Sequence, residues 1–212
     1  MAVVLGARST YLRAGIGGYD GRALRRGDRL AVGRRTSSAN QIALSIAGDA
    51  RDRVSVARWG VGPSLLPPYS PAPVVRLLEG EHSQVLTPNG REQLWRAEFR
   101  VSAQSDRMGY RLEGPPLATH ERRELLSEAV SFGTVQLPPG GNPIILMADR
   151  QTTGGYPRIG EVATVDLPLV AQLRPGDRIR FHPMSLAEAQ SLYLAREAEI
   201  AQARRALALH YQ

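Results

Sequence analysis

The sequence contains no cysteine and no lysine, so every fixed positive side-chain charge is an arginine. Without cysteine there are no disulfides, no thiolate nucleophile and no cysteine-ligated zinc. Without lysine, a Schiff-base mechanism, a P-loop lysine and a Ser-x-x-Lys nucleophile are all excluded. Aromatic residues are scarce, at 6%. No apolar run approaches the roughly 18 residues of a membrane span. The N-terminal "MAVVLGARSTYLRAG" has too short an apolar run for a signal peptide, and its charges come after that run rather than before it. A cytoplasmic protein with no membrane partner is expected. The four histidines, His82, His120, His182 and His210, are far apart and lack metal-ligand spacing. G-x-S-x-G, H-E-x-x-H and Walker A patterns are absent.

What is present is enough for a folded core: 212 residues with 42% apolar content. The 21 glycines and 15 prolines favour short elements and many turns, hence a β-rich or mixed fold. The net charge is +7, but the arginine pairs (Arg25 and Arg26, Arg34 and Arg35, Arg122 and Arg123, Arg204 and Arg205) are scattered. Nucleic-acid binding needs clustered basic residues, so no nucleic-acid partner is expected.

Along the chain, "AVVLG" and "RLAVG" read as strands, "GIGGYDG" as a glycine-rich turn, and "QIALSIAG" as a strand or short helix. The prolines of residues 59–73 fit neither a helix nor a central strand, which marks a linker. After it, "VVRLLEG", "QLWRAEFRVS" and "DRIRFHP" read as strands, and "GTVQLPPGGNPIILMAD" as strand, turn and strand. "EVATVDLPLVAQL" belongs to the same β-rich unit, and "THERRELLSEAV" holds a short helix. From residue 185 the pattern changes. "SLAE" is a capping box, and Leu186, Tyr193, Ile200 and Leu207 recur every seven residues beside Ala189 and Ala203. The expected division is 1–60, 61–184, and an amphipathic helix over 185–212. A weak internal echo links residues 17–33 to 154–181: both hold Gly-Gly-Tyr and, later, Leu-Arg-x-Gly-Asp-Arg.

Two polar clusters are candidates for chemistry. In "ADRQTTGGYPRIG" (148–160), Asp149 follows a run of bulky apolar residues, which puts it at the mouth of a buried strand. Its carboxylate would be partly desolvated there and would depend on a partner such as Arg107 or Arg150. Gln151, Thr152 and Thr153 supply neutral donors and acceptors. Gly154 and Gly155 permit close backbone approach or positive φ, and exposed loop N–H groups bind oxyanions. Tyr156 would close a pocket. In "SDRMGYRLEGP" (105–115), Asp106 and Arg107 share a tight turn, and an arginine there can grip a carboxylate or phosphate bidentately. Taken locally, both clusters are also compatible with ordinary polar turns.

These two clusters, their order and their flanks resemble the allophanate hydrolase subunit 2 family, whose members include KipA-type proteins and the C component of 5-oxoprolinase. The matching stretches are "SDRMGYRLEGP", "SEAVSFGTVQLPPGGNPIILMADRQTTGGYPRIGEVATVDLPLVAQLRPGDRIRF" and, earlier, "VLGARSTYLRAGIGGYDGRALRRGD". The resemblance implies a mainly β fold: a cyclophilin-like β-barrel, a partial first subdomain and a C-terminal helix. Family members usually carry a further N-terminal segment with "TTVQDLGR"-type and "PxSGAMD"-type motifs. Neither motif is found here, so a chain lacking that part is expected. Its first subdomain would leave sheet edges open unless a partner covers them.

The resemblance further implies work beside two partners: a subunit 1 or KipI-type protein (the B component of 5-oxoprolinase) and a LamB/YcsF-type protein (its A component). The implied reaction is ATP-dependent opening of 5-oxoproline to glutamate, with ATP and Mg2+ in the complex. Asp149, Gln151 and Thr152 are the expected catalytic residues. Asp106, Arg107, Arg150, Thr153, Gly154, Gly155 and Tyr156 are expected to bind substrate or phosphate. Two alternatives stand beside this reading. One is a carboxyltransferase module of a biotin-dependent urea or amide carboxylase, with biotin on a separate carrier. The other is a non-enzymatic KipA-type regulator that binds a kinase inhibitor.

Overall fold

The computed structural model describes residues 1–47, 56, 60–120 and 125–210. The chain divides into two units, Met1–Trp59 with Tyr211–Gln212, and Gly60–His210. In the first, β1 (Thr10–Tyr11) and β2 (Ile16–Gly17) pair antiparallel. The glycine-rich segment around them is the turn its composition predicts. The helix α1 (Ser37–Ala47) resolves the ambiguity of "QIALSIAG". It starts at Thr36, whose Oγ1 accepts the Ala39 N–H at 3.1 Å. The two predicted strands of this unit do not form. Val4 makes only an isolated bridge to Ala7, and residues 30–32 have no pairing partner among the described residues. A strand exists only by pairing, whatever its pattern.

The second unit is built on β3 (Val74–Glu79), α2 (Pro88–Arg96), β4 (Phe99–Val101), β5 (Gly109–Glu113), β6 (Glu128–Ala129), β7 (Thr134–Gln136), β8 (Ile144–Leu146), β9 (Thr153–Gly154), β10 (Arg158–Val162), α3 (Leu167–Ala171), β11 (Arg178–Pro183) and α4 (Leu186–His210). Seven strands close into a barrel in the order β10-β3-β11-β4-β5-β8-β7, with β7 returning to β10. All pairs are antiparallel except β3 with β11. Closure removes the sheet edges.

Alternation fills the barrel. Val75, Leu77, Phe99, Val101, Leu112, Val135, Ile145, Ile159, Ile179 and Phe181 are all within 2% of full burial. Phe99 and Phe181 meet at 5.8 Å between ring centroids, tilted by 49°. Each such side chain contributes about 1.5–3 kcal/mol on burial, so these residues dominate the unit's stability.

Two predicted elements differ. The strand expected over "QLWRAEFRVS" is confined to β4, and its first half is the end of α2. The Thr87 Oγ1 accepts the Gly90 N–H at 3.0 Å and Pro88 opens the first turn, so a capping signal upstream outweighs the alternation. The helix expected in "THERRELLSEAV" is not seen at 125–130, where β6 lies instead. Residues 121–124 fall outside the described residues.

The capping box of α4 forms as its sequence predicts. The Ser185 N–H donates to Glu188 Oε2 at 2.9 Å and the Glu188 N–H to Ser185 Oγ at 3.3 Å. Its heptad face is only half covered: Ala189, Ile200 and Ala203 are half-buried, whereas Leu186, Tyr193 and Leu207 are exposed. Leu194 and Leu209 are exposed on other faces, so the helix is less amphipathic than its heptads suggest.

The internal echo is real in one half and not in the other. The Asp28 carboxylate accepts the Arg25 N–H at 2.7 Å, and Asp177 accepts the Arg174 N–H at 2.8 Å. Gly27 and Gly176 both sit at φ +95°. The two Gly-Asp turns are therefore the same device. The Gly-Gly-Tyr repeats are not: Gly17 and Gly18 have positive φ, and Gly154 and Gly155 do not.

Candidate functional site on the barrel rim

The pairing of β5 with β8 sets Gly109 opposite Leu146. That register brings the turn before β5 against the residues that follow β8. The Met147 N–H donates to the Met108 carbonyl and the Asp149 N–H to the Arg107 carbonyl, both at 2.9 Å. The side chains then meet. Arg107 Nη2 donates to Asp149 Oδ1 at 3.1 Å, and Nε lies 3.1 Å from Oδ2. This is a two-point fork that fixes the carboxylate's plane. The Asp149 side chain is 49% exposed and that of Arg107 79%, so the carboxylate is less desolvated than its sequence position suggests. The Asp106 Oδ1 accepts the N–H groups of Met108 (2.9 Å) and Gly109 (3.3 Å), an Asx turn that shapes this corner.

The second half of the loop runs into a small ribbon. β9 pairs with β6, Glu128 opposite Gly154 and Ala129 opposite Thr153, and the Val130 N–H donates to the Thr152 carbonyl at 3.0 Å. Gln151, Thr152 and Thr153 present exposed side chains, and Tyr156 is 41% exposed rather than closing a pocket. Arg150 is half-buried, and its Nε donates to the Val130 carbonyl at 3.4 Å. The glycines serve close approach to protein. A Cβ on Gly154 would come within 2.5 Å of Gln136 Nε2, and one on Gly155 within 2.9 Å of the Leu125 carbonyl oxygen. The loop therefore splits: Asp106, Arg107 and Asp149 form one group, and Arg150 through Tyr156 belong to the ribbon.

Sequence reasoning missed what lies under the ribbon. Val135 of β7 points into the core, so Thr134 and Gln136 take the opposite face, yet both are buried. The Gln136 Nε2 donates to the Tyr156 carbonyl at 3.4 Å. Glu161 of β10 lies opposite Thr134 in the ladder. Its Oε1 accepts from Thr134 Oγ1 at 2.7 Å and its Oε2 from Ser131 Oγ at 3.0 Å. Burial raises the Glu161 carboxyl above its ordinary range; the two hydroxyls, then Arg158 and Arg150, offset part of that rise. Beside it, Arg158 Nη2 pairs with Glu128 at 2.7 Å and with Glu81. The sequence offered no local signal: polar residues at both outward positions of β7 are the pattern of a solvated strand face, and their burial shows only in the structure.

A separate cavity of about 460 Å³ lies elsewhere in this unit, lined by Arg76, Asp166, His182 and Arg196 among others. None of the predicted site residues reaches it. No set of three carboxylate or histidine groups placed to hold a metal ion occurs among the described residues. No described helix is long and apolar enough to cross a membrane.

Comparison with known proteins gives these shapes a context. The profile of the family described as "Carboxyltransferase domain, subdomain A and B" matches residues 1–183. The chain is 40% identical over 201 residues to the C component of 5-oxoprolinase from Haemophilus influenzae, covering 95% of this chain and 58% of that protein. It is 38% identical over 186 residues to the corresponding 5-oxoprolinase component of Escherichia coli, covering 88% of this chain and 53% of that one. It thus spans little more than half the length of these relatives. Among solved structures, urea amidolyase from K. lactis superposes with a TM-score of 0.71 at 26% identity, covering 92% of this chain and 12% of that one.

Proposed function

The chain belongs to the carboxyltransferase domain, subdomain A and B, family, and from that premise we propose that it is one subunit of an ATP-dependent hydrolase that opens 5-oxoproline to glutamate. The observation that carries this reading is the 40% identity to the C component of a 5-oxoprolinase over 95% of the chain. Its partners in the reading are a KipI-like protein and a LamB/YcsF-like protein, the B and A components of such an enzyme.

The chemistry suits polar residues without a nucleophile. A lactam oxygen is a poor leaving group. Transfer of the γ-phosphoryl group of ATP to that oxygen turns it into a phosphate and leaves the ring carbon electrophilic. Water then adds to the carbon and the ring C–N bond breaks. Asp149, fixed by Arg107, orients the water or the ring N–H. Gln151 and Thr152 hydrogen-bond the amide or the carboxylate. Arg107 and Arg150 neutralise phosphate or carboxylate charge, Asp106 shapes the turn that carries Arg107, and Thr153, Gly154, Gly155 and Tyr156 form the ribbon beside that turn, where they would contact a bound substrate or phosphate. ATP would arrive with Mg2+, for which the described residues offer no three-ligand set.

A second reading is favoured by one observation, the TM-score of 0.71 to a urea amidolyase. In it the same rim handles a planar amide in carboxyl transfer from biotin on a separate carrier.

Coexpression with the KipI-like and LamB/YcsF-like partners and an assay of 5-oxoproline-dependent ATP hydrolysis separates these readings. Turnover is expected, with Asp149→Asn lowering the rate about 100-fold. A full rate in Asp149→Asn removes the role given to Asp149. Biotin-dependent carboxylation without glutamate favours the second reading. Complex formation with no turnover in any mixture points to a regulator of the KipA type.

A further inference from the structure

Beside the β6–β9 ribbon lies a polar cluster, with Thr134 and Gln136 buried, Glu161 half-buried and Ser131 exposed, to which the loop residues assign no part. We propose that Glu161 is the proton-transfer group of ring opening, with Thr134 and Ser131 as hydroxyl partners that serve both its charged and its neutral form; this rests on the 5-oxoprolinase reading.

The partners make the first argument. A guanidinium stabilises only a carboxylate, because it has donors and no acceptor. The neighbouring acids are held that way: Asp149 by Arg107, and Glu128 and Glu81 by Arg158. Glu161 is held by two hydroxyls, at 2.7 Å and 3.0 Å. A hydroxyl donates to a carboxylate and, after rotating, accepts from a carboxylic acid. Ser131 Oγ and Thr134 Oγ1 are themselves 3.0 Å apart, so the two can exchange donor and acceptor roles. The Ser131 N–H also donates to Thr134 Oγ1 at 3.0 Å, which fixes the pair on the backbone.

Position makes the second. Glu161 and Thr134 face each other across the β7–β10 ladder, and Gln136, two residues along, holds the carbonyl of Tyr156. The cluster therefore abuts the end of the candidate loop. The charged groups around it are Arg158 on its own strand, Arg150 from the loop before β9, Glu128 on β6 and Glu81 beyond β3. From β7 come only the neutral Thr134 and Gln136. Arg158 Nε is buried with no hydrogen-bond partner, an uncommitted donor beside these groups. Burial raises the Glu161 carboxyl above its ordinary value, which favours its neutral, proton-donating form relative to an exposed glutamate.

In the step itself, the water oxygen bonds to the ring carbon of the phosphorylated lactam. The C–N bond breaks, its electron pair goes to nitrogen, and the nitrogen takes the proton of neutral Glu161. The proton released by the water restores Glu161. The acyl phosphate left on the carbon is then cleaved by a second water, whose oxygen bonds to that carbon as the C–O bond to phosphate breaks; phosphate leaves and the carboxylate of glutamate remains.

The test uses the assembled complex and the pH profile of glutamate formation. Glu161→Gln, which keeps the shape and one acceptor oxygen, is expected to lower the rate about 100-fold or more and to erase the alkaline limb of the profile, where neutral Glu161 is lost. Thr134→Val, which removes a hydroxyl that favours the ionised form, is expected to keep the limb and move it to higher pH. If Glu161→Gln retains the wild-type rate and profile in an active complex, Glu161 is not the proton-transfer group, and the 5-oxoprolinase reading stands without it. A complex that never turns over 5-oxoproline overturns both. A rate lost in Glu161→Gln with the limb intact assigns the residue a structural role and overturns the proposal.

Discussion

The Arg107–Asp149 fork is a surface pair, and such pairs contribute between nothing and about 1 kcal/mol. Asp149→Asn is therefore expected to leave the melting temperature nearly unchanged while it lowers the rate, a split that thermal melting and the coupled assay read together. Glu161 behaves in the opposite sense. Its folded pKa is raised, so its contribution to stability is present at acid pH and declines as pH rises from the ordinary carboxylate value through the raised one. Glu161→Gln is expected to flatten that decline in melts taken across the acid range; a destabilised variant with the same pH slope contradicts it. Asp28 gives the reverse case: the Arg22 guanidinium, then the Arg25 N–H, lower it from 3.8 to about 2. Its contribution is expected to persist above the ordinary carboxylate value and to vanish as pH falls toward 2. An NMR titration of the Asp28 carboxyl reads this directly, and an ordinary midpoint contradicts it. Asp149 and Arg107 were legible because turn residues after an apolar run stand out. Glu161 was not, because a lone glutamate in "RIGEV" has the pattern of any solvated strand face, and only the ribbon folded over it makes it unusual.

Arg76 and Asp166 tie β3 to the turn that follows β10. Asp166 is 1% exposed and accepts from both the Arg76 N–H and its Nε at 2.8 Å. Breaking a buried pair costs about 3–5 kcal/mol. The Arg76 side chain is 34% exposed, so Arg76→Ala is expected to cost nearer about 2 kcal/mol after screening. Urea unfolding checks it, and an unchanged midpoint contradicts it. Neither residue drew notice in the sequence, since 90 positions separate them. The capping box of α4 was fully legible because its signal spans four neighbouring residues. The α2–β4 segment was misread for the converse reason. Its alternation fits a strand, and the deciding Thr87–Pro88 cap lies just outside the window.

A closed barrel was the architecture expected, and the Gly60–His210 unit has it. The Met1–Trp59 unit is a different object. None of residues 1–46 is fully buried, and Leu5 and Val32 are 96% and 93% exposed. Legibility followed from distance here as well. The Gly-Asp turns at 27–28 and 176–177 repeat because their chemistry is local, whereas the strand predicted after the first turn fails for want of a neighbour. The decisive measurement mixes this chain with the KipI-like and LamB/YcsF-like proteins proposed as its partners and follows glutamate formed from 5-oxoproline beside phosphate released from ATP. Both products should appear together, in equal amounts, and only when this chain is present. Equal turnover in its absence, or no glutamate in any mixture, would contradict its assignment to the hydrolase.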